Sequence, residues 1–192
     1  MFIASFTSLI LMCALICCKS LGRSVPCNYF LMTTFTLCEA YIVSYICASV
    51  NDPKVVIAAA FFTAAIVLSL TVYAFTTKKD FTVFGGLAFM ISIGLLIFGI
   101  VCAFLGPQMY LIYCFLSVCA FGFYLIIDTQ MVVGQNKYEL ETDDYIIGAI
   151  ILYVDIVNIF IYLVQIFGNL CSKEWMTNFV NNSVNKLILN KF

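Results

Sequence analysis

Three acidic side chains sit inside long apolar runs. Glu39 lies in FLMTTFTLCEAYIVSYICASV, Asp128 in FGFYLIIDTQMVVG and Asp155 in DDYIIGAIILYVDIVNIFIYLVQIFGN. An ionised carboxylate at the centre of a bilayer costs about 2.5–3.5 kcal/mol on insertion scales, so a chain that keeps one there usually uses it. No lysine or arginine falls within these runs. An ion pair is therefore open only to Arg23 or Lys19, reaching in from a loop. A carboxyl can also be carried neutral, as a protonated hydrogen-bonding group, and Glu39 fits that bland role as well as a functional one. Two carboxyls in contact do not both ionise cheaply and share a proton instead. Such a pair suits a proton-linked latch, or a transient site for a hard cation such as Ca²⁺ when both groups ionise. Two ligands are too few for tight binding, so water and backbone carbonyls would complete the shell.

The elements that must hold these groups follow from composition. Of 192 residues, 64% are hydrophobic and 10% charged, against about 25% charged in a soluble domain. The mean hydropathy is +1.10. The class is an all-α, polytopic membrane helix bundle, because helices satisfy their own backbone hydrogen bonds in lipid. Six apolar segments are long enough to span: 2–18, 29–50, 55–76, 82–105, 109–134 and 145–170, with a polar to amphipathic tail over 171–192. The first is near the short limit and lacks the basic flank of a signal peptide, which favours a retained span over cleavage before Lys19. A net charge of −1 gives no surface for nucleic acid, and the absence of histidine removes the commonest metal ligand and general base. Most of the ten cysteines, including Cys13, Cys38, Cys47, Cys102, Cys114 and Cys119, lie in apolar runs without metal spacing. They read as buried thiols. No cofactor is expected.

Loops 19–28, 77–80 and 135–144 fall on one face and carry Lys19, Arg23, Lys78, Lys79 and Lys137. The positive-inside rule makes that face cytosolic. Counting from it at ~1.5 Å per residue, Asp128 lies ~10 Å deep and Asp155 and Glu39 ~15 Å deep. The segments holding Asp128 and Asp155 are consecutive and joined by a short link, so they should pack as an antiparallel hairpin with the two carboxyls at matching depth.

Along the last segment, Asp155, Asn158, Tyr162, Gln165 and Asn169 are spaced 3, 4, 3 and 4 apart, a polar stripe that requires a neighbour or a water path. Gly148 extends the same face by one heptad. That helix is expected at the centre of the bundle. Gly85, Ser92, Gly99 and Gly106 recur every seven residues and read as a packing seam. In the tail, Trp175, Phe179, Val180, Val184, Leu187 and Ile188 suit an interfacial amphipathic helix.

The stretches RSVPCNYFLMTTFTLCEAY (23–41), LTVYAFTTKKDFTVFGG (70–86), YLIIDTQMVVG (124–134) and DDYIIGAIILYVDIVNIFIYLVQIFG (143–168) together resemble the transmembrane Bax-inhibitor (Lifeguard) family. The resemblance implies a seven-helix fold with six helices around a central C-terminal one. It also implies a pH-sensitive calcium leak of an internal membrane, the endoplasmic reticulum or Golgi, with Asp128 and Asp155 as sensor and gate. Arg23 matches the family's basic latch, which pairs with those aspartates when closed. Asp143 matches an acidic position tied to conductance, although capping of the last helix explains it equally well. The family ordinarily has a further span before 2–18, so the chain reads as lacking the usual first helix.

Three function classes stand against each other. The first is a proton-gated calcium leak that lowers stored calcium and restrains cell death, with Glu39, Asp143, Asn158, Tyr162 and Gln165 along the pathway. Its partners would be the bilayer, Ca²⁺ and apoptosis-regulating membrane proteins. The second is a non-conducting membrane protein that regulates apoptosis by interaction. The third, an intramembrane aspartyl protease, needs paired aspartates across a water. The chain lacks a Gly-x-Gly-Asp motif beside either aspartate and a Pro-Ala-Leu segment, so an enzyme is not expected.

Overall fold

The computed structural model describes residues 2–17, 23–50, 52–134 and 139–189, with side chains as far as Cys171. Six long helices follow one another: α1 Phe2–Cys17, α2 Cys27–Ser49, α3 Pro53–Thr76, α4 Gly85–Leu105, α5 Pro107–Val133 and α6 Tyr145–Leu189. Single 3-10 turns at Thr82–Phe84 and Thr142–Asp144 lead into α4 and α6. There is no strand among the described residues. Among the described residues, five helices are long and apolar enough to cross a membrane, and α1, with 16 residues, is shorter.

Local chemistry sets the ends. Pro53 and Pro107 stand at the first positions of α3 and α5, where the missing N–H is no loss and φ is already helical. Both helices therefore start two residues ahead of the apolar runs. The Asp52 side chain caps α3 by accepting from the Lys54 backbone N–H at 2.9 Å. α5 stops at Gly134, whose φ of 70° is left-handed and suits a residue without Cβ.

α6 is the hub. It packs on α2, α3 and α5, the last pairing being the most extensive, while α1 packs on α2, and α4 on α5. Ile159, Leu163, Val164 and Ile166 of α6 share one core with Ala59 of α3 and Cys114 and Leu125 of α5. Ile146 and Ile150 share another with Leu15 of α1 and Phe35 of α2. Within the apolar part of α6, Tyr145–Cys171, 44% of an 18-residue window is buried, against none in α4. The last span is central, as its polar stripe requires. Phe61 and Phe104 point outward, 73% and 85% exposed, a surface suited to lipid rather than water.

Small residues act where helices cross closely. A Cβ on Gly148 would lie 3.1 Å from Val132 Cγ2, and one on Gly99 3.2 Å from the Tyr113 ring. Gly85 and Gly106 have nothing within 4 Å, so only the middle of the seven-residue seam faces α5. The tail differs from the expected separate helix. The α6 backbone runs unbroken to Leu189, and at Gly168 the end of α2 comes close, with Val50 Cγ2 3.3 Å from the Cβ position. The side chains of the supposed amphipathic face, and Lys19 and Lys137, lie outside the described residues.

Candidate functional site

The α5–α6 hairpin runs down and back through the membrane, and it brings Asp128 and Asp155 together. Their carboxyls lie close to one another. Asp128 is half-buried; Asp155 is 4% exposed, and its Oδ2 is buried without a hydrogen-bond partner. Neither has a lysine or arginine partner among the described residues. Both line a cavity of about 670 Å³ between α1, α4, α5 and α6. The cavity also reaches Tyr124, whose hydroxyl lies 2.9 Å from Ser92 Oγ and donates to the Ala88 carbonyl at 3.2 Å.

The polar stripe on α6 continues away from the pair. Tyr162 meets Tyr113 of α5, hydroxyl to hydroxyl at 3.1 Å, with the rings edge to face. Gln165 Oε1 accepts from the Tyr110 hydroxyl and from the Cys114 thiol. Asn158 and Asn169 turn back on their own helix, donating to the carbonyls of Val154 and Gln165 at 2.8 Å. So Tyr162 and Gln165 face α5, while Asn158 satisfies itself.

Arg23 is placed differently from expectation. Its guanidinium grips Asp144 through Nε at 2.7 Å and Nη2 at 3.0 Å, and Nη2 also donates to Glu141 at 2.7 Å. This fork geometry is the strong form of a charge-assisted bond. The hydrogen bonds to Asp144 and then Glu141 hold the guanidinium above its usual pKa. Arg23 is thus paired with residues just before α6 rather than with Asp128 and Asp155. The reason is depth: Asp155 lies eleven residues beyond Asp144 on α6, ~16 Å along the axis.

Of the other acidic candidates, Asp143 is exposed, while the contact with Arg23 is made by its neighbour Asp144, whose side chain is only 1% exposed. Glu39 accepts from the Ser8 hydroxyl of α1 and is not among the residues lining the cavity. Matching depth did not mean a shared site. Sequence reasoning also passed over Gln130. It is buried, accepts from the Phe81 N–H at 2.8 Å and donates to the Lys79 carbonyl at 3.0 Å, tying the loop before α4 to α5. Its signal was an amide inside an apolar run, two residues after Asp128. No cluster of three or more metal-ligating side chains occurs among the described residues. The aspartate pair would hold a cation only with help from water or backbone.

Against protein families, residues 1–171 match the model described as "Inhibitor of apoptosis-promoting Bax1". The chain belongs to this Bax-inhibitor family. Its relatives include Protein lifeguard 3 of Homo sapiens, 36% identical over 160 residues, which cover 81% of this chain and 51% of that protein. The Mus musculus Protein lifeguard 3 is also 36% identical, with 52% of its length covered. Protein LIFEGUARD 4 of Arabidopsis thaliana is 37% identical over 166 residues, covering 84% of this chain and 64% of the relative. The chain therefore spans about half the length of the mammalian relatives it matches. With five helices able to cross a bilayer, this Bax-inhibitor family member is an integral membrane protein.

Proposed function

We propose that the chain forms a pH-sensitive calcium leak in an endomembrane, the endoplasmic reticulum or Golgi, and thereby lowers stored calcium and restrains cell death. One observation supports the reading: two carboxyls from adjacent membrane-spanning helices line one cavity, with no basic partner among the described residues. Sharing one proton, they form a hydrogen bond that closes α5 on α6. Both ionised, they repel each other and offer oxygen ligands to a hard cation, so the protonation state selects between closure and passage. No bond to substrate is made or broken, and the pair acts as a gate rather than a catalyst.

Beyond the pair, the Tyr113–Tyr162 and Tyr110–Gln165 contacts would line the rest of the path on α6. Arg23, clasped by Asp144 and Glu141, would act by tying the start of α2 to the start of α6. The family description and the lifeguard relatives support a role in restraining apoptosis.

Reconstitution into calcium-loaded liposomes tests this against its rivals. The expected result is a leak above that of empty liposomes that changes between about pH 5 and 8. A chain that passes no calcium would refute the reading and favour an interaction protein. Cleavage of a helical peptide would revive the protease.

A further inference from the structure

The cavity holding the aspartate pair has walls that an axial ion path does not require. Leu9 and Met12 of α1 face it from one side and Phe89 and Leu96 of α4 from another. Yet α1 and α4 are not among the packed helix pairs. Phe89 is 68% and Leu96 60% exposed, and Ser92 between them is exposed as well. The cavity therefore has an apolar slot at its side, between α1 and α4. At its inner end stands an anionic pair with one buried carboxylate oxygen unpartnered. A volume of about 670 Å³ falls in the range of small-molecule sites, roughly 300–1,000 Å³.

An apolar entrance leading to buried carboxyls fits a ligand with a hydrocarbon body and one cationic donor head. We propose that the cavity binds a lipophilic primary ammonium, a long-chain amine. It would enter from the bilayer between α1 and α4. Its ammonium has three donors: two serve the carboxyls of Asp128 and Asp155, and the third meets a hydroxyl lining the same cavity, Ser92, Tyr124 or Tyr162. Its chain lies against Leu9, Met12, Phe89 and Leu96. Anionic amphiphiles are repelled, and a quaternary ammonium brings no N–H to donate. The site needs only the geometry of the pair and stands whether or not the chain conducts. Amine and calcium would exclude one another there.

The test uses the full chain in phosphatidylcholine nanodiscs with a photoreactive sixteen-carbon primary amine, the labelled peptides being mapped by mass spectrometry. Labelling is expected on α1 and α4. It should fall at least roughly tenfold with the matching alcohol, and likewise with Asp128→Asn plus Asp155→Asn, as loss of a charge-assisted hydrogen bond demands. Ser92→Trp, which fills the slot and spares both carboxyls, should lower labelling equally while circular dichroism confirms the fold. Equal labelling by the alcohol, or labelling that survives the double substitution or the slot-filling one, would overturn the proposal. Calcium leak from liposomes made with the same protein keeps the two readings apart. Labelling without leak sinks conduction alone, and leak without labelling sinks the amine site alone.

Discussion

Replacing Gly148 with leucine forces a side chain into the seam between α5 and α6, two turns before Asp155 and facing Val132, one turn after Asp128. A Cβ there already meets Val132 Cγ2 at 3.1 Å and Leu140 Cδ1 at 3.4 Å. Alanine asks only that a valine methyl give by a few tenths of an ångström, a cost under about 1 kcal/mol. Leucine adds three more carbons with the same two neighbours in the way, and overpacking of that kind costs about 1–3 kcal/mol. Titration of the micellar protein with a denaturing detergent, followed by circular dichroism, should show the midpoint of the leucine variant lowered accordingly and that of alanine little changed. Because the seam borders the aspartate pair, the leucine variant should also alter calcium leak. If leucine and alanine unfold together, the close α5–α6 approach is wrong, and with it the account of why the carboxyls meet.

Other outcomes follow from single contacts. Tyr113→Phe and Tyr162→Phe each remove one side of a shared bond and should each cost about 0.5–1.5 kcal/mol, the double variant costing no more than one. Additive losses in that cycle would mean the hydroxyls do not meet. Glu39→Gln keeps the bond with Ser8 and lies off the cavity, so leak should be unchanged; a large change would place Glu39 on the path. Arg23→Ala should raise the leak at neutral pH, and an unchanged leak would remove the clasp from the mechanism. Since hydrogen bonds to Asp144 and Glu141 raise the Arg23 pKa in the folded state, the guanidinium stays charged throughout the neutral and mildly alkaline range, and its contribution is fully present there. Arg23→Ala should therefore raise the leak by a similar factor at pH 7 and pH 9. A difference that vanishes by pH 9 would assign the effect to another group.

Much of the bundle was legible because hydrocarbon constrains helices so narrowly. The spacing of Asp155, Tyr162 and Gln165 demanded a protein neighbour, and α6 is the hub. The hairpin and the rise per residue set Asp128 and Asp155 at one depth, where they meet. Depth, however, says nothing of direction around the bundle. Glu39 shares the level but turns toward Ser8 of α1. Arg23 and Asp144 are far apart in sequence, and only tertiary packing chooses Asp144 over its neighbour Asp143. The proline starts of α3 and α5 were readable in principle, since Pro53 and Pro107 suit first helical positions even outside the apolar runs. The last apolar run ends near 170, yet the α6 backbone continues to Leu189, and Gly168 within it makes a close contact with Val50.

The central claim is that the Asp128–Asp155 pair sets conduction. The direct measurement is calcium efflux from liposomes across pH 5 to 8, comparing the wild-type chain with Asp128→Asn plus Asp155→Asn. The account expects a pH-dependent leak from the wild type and a flat, altered leak from the double variant, which keeps the shape of both side chains and removes their titration. A double variant that leaks at the same rate, with the same pH profile, would contradict it.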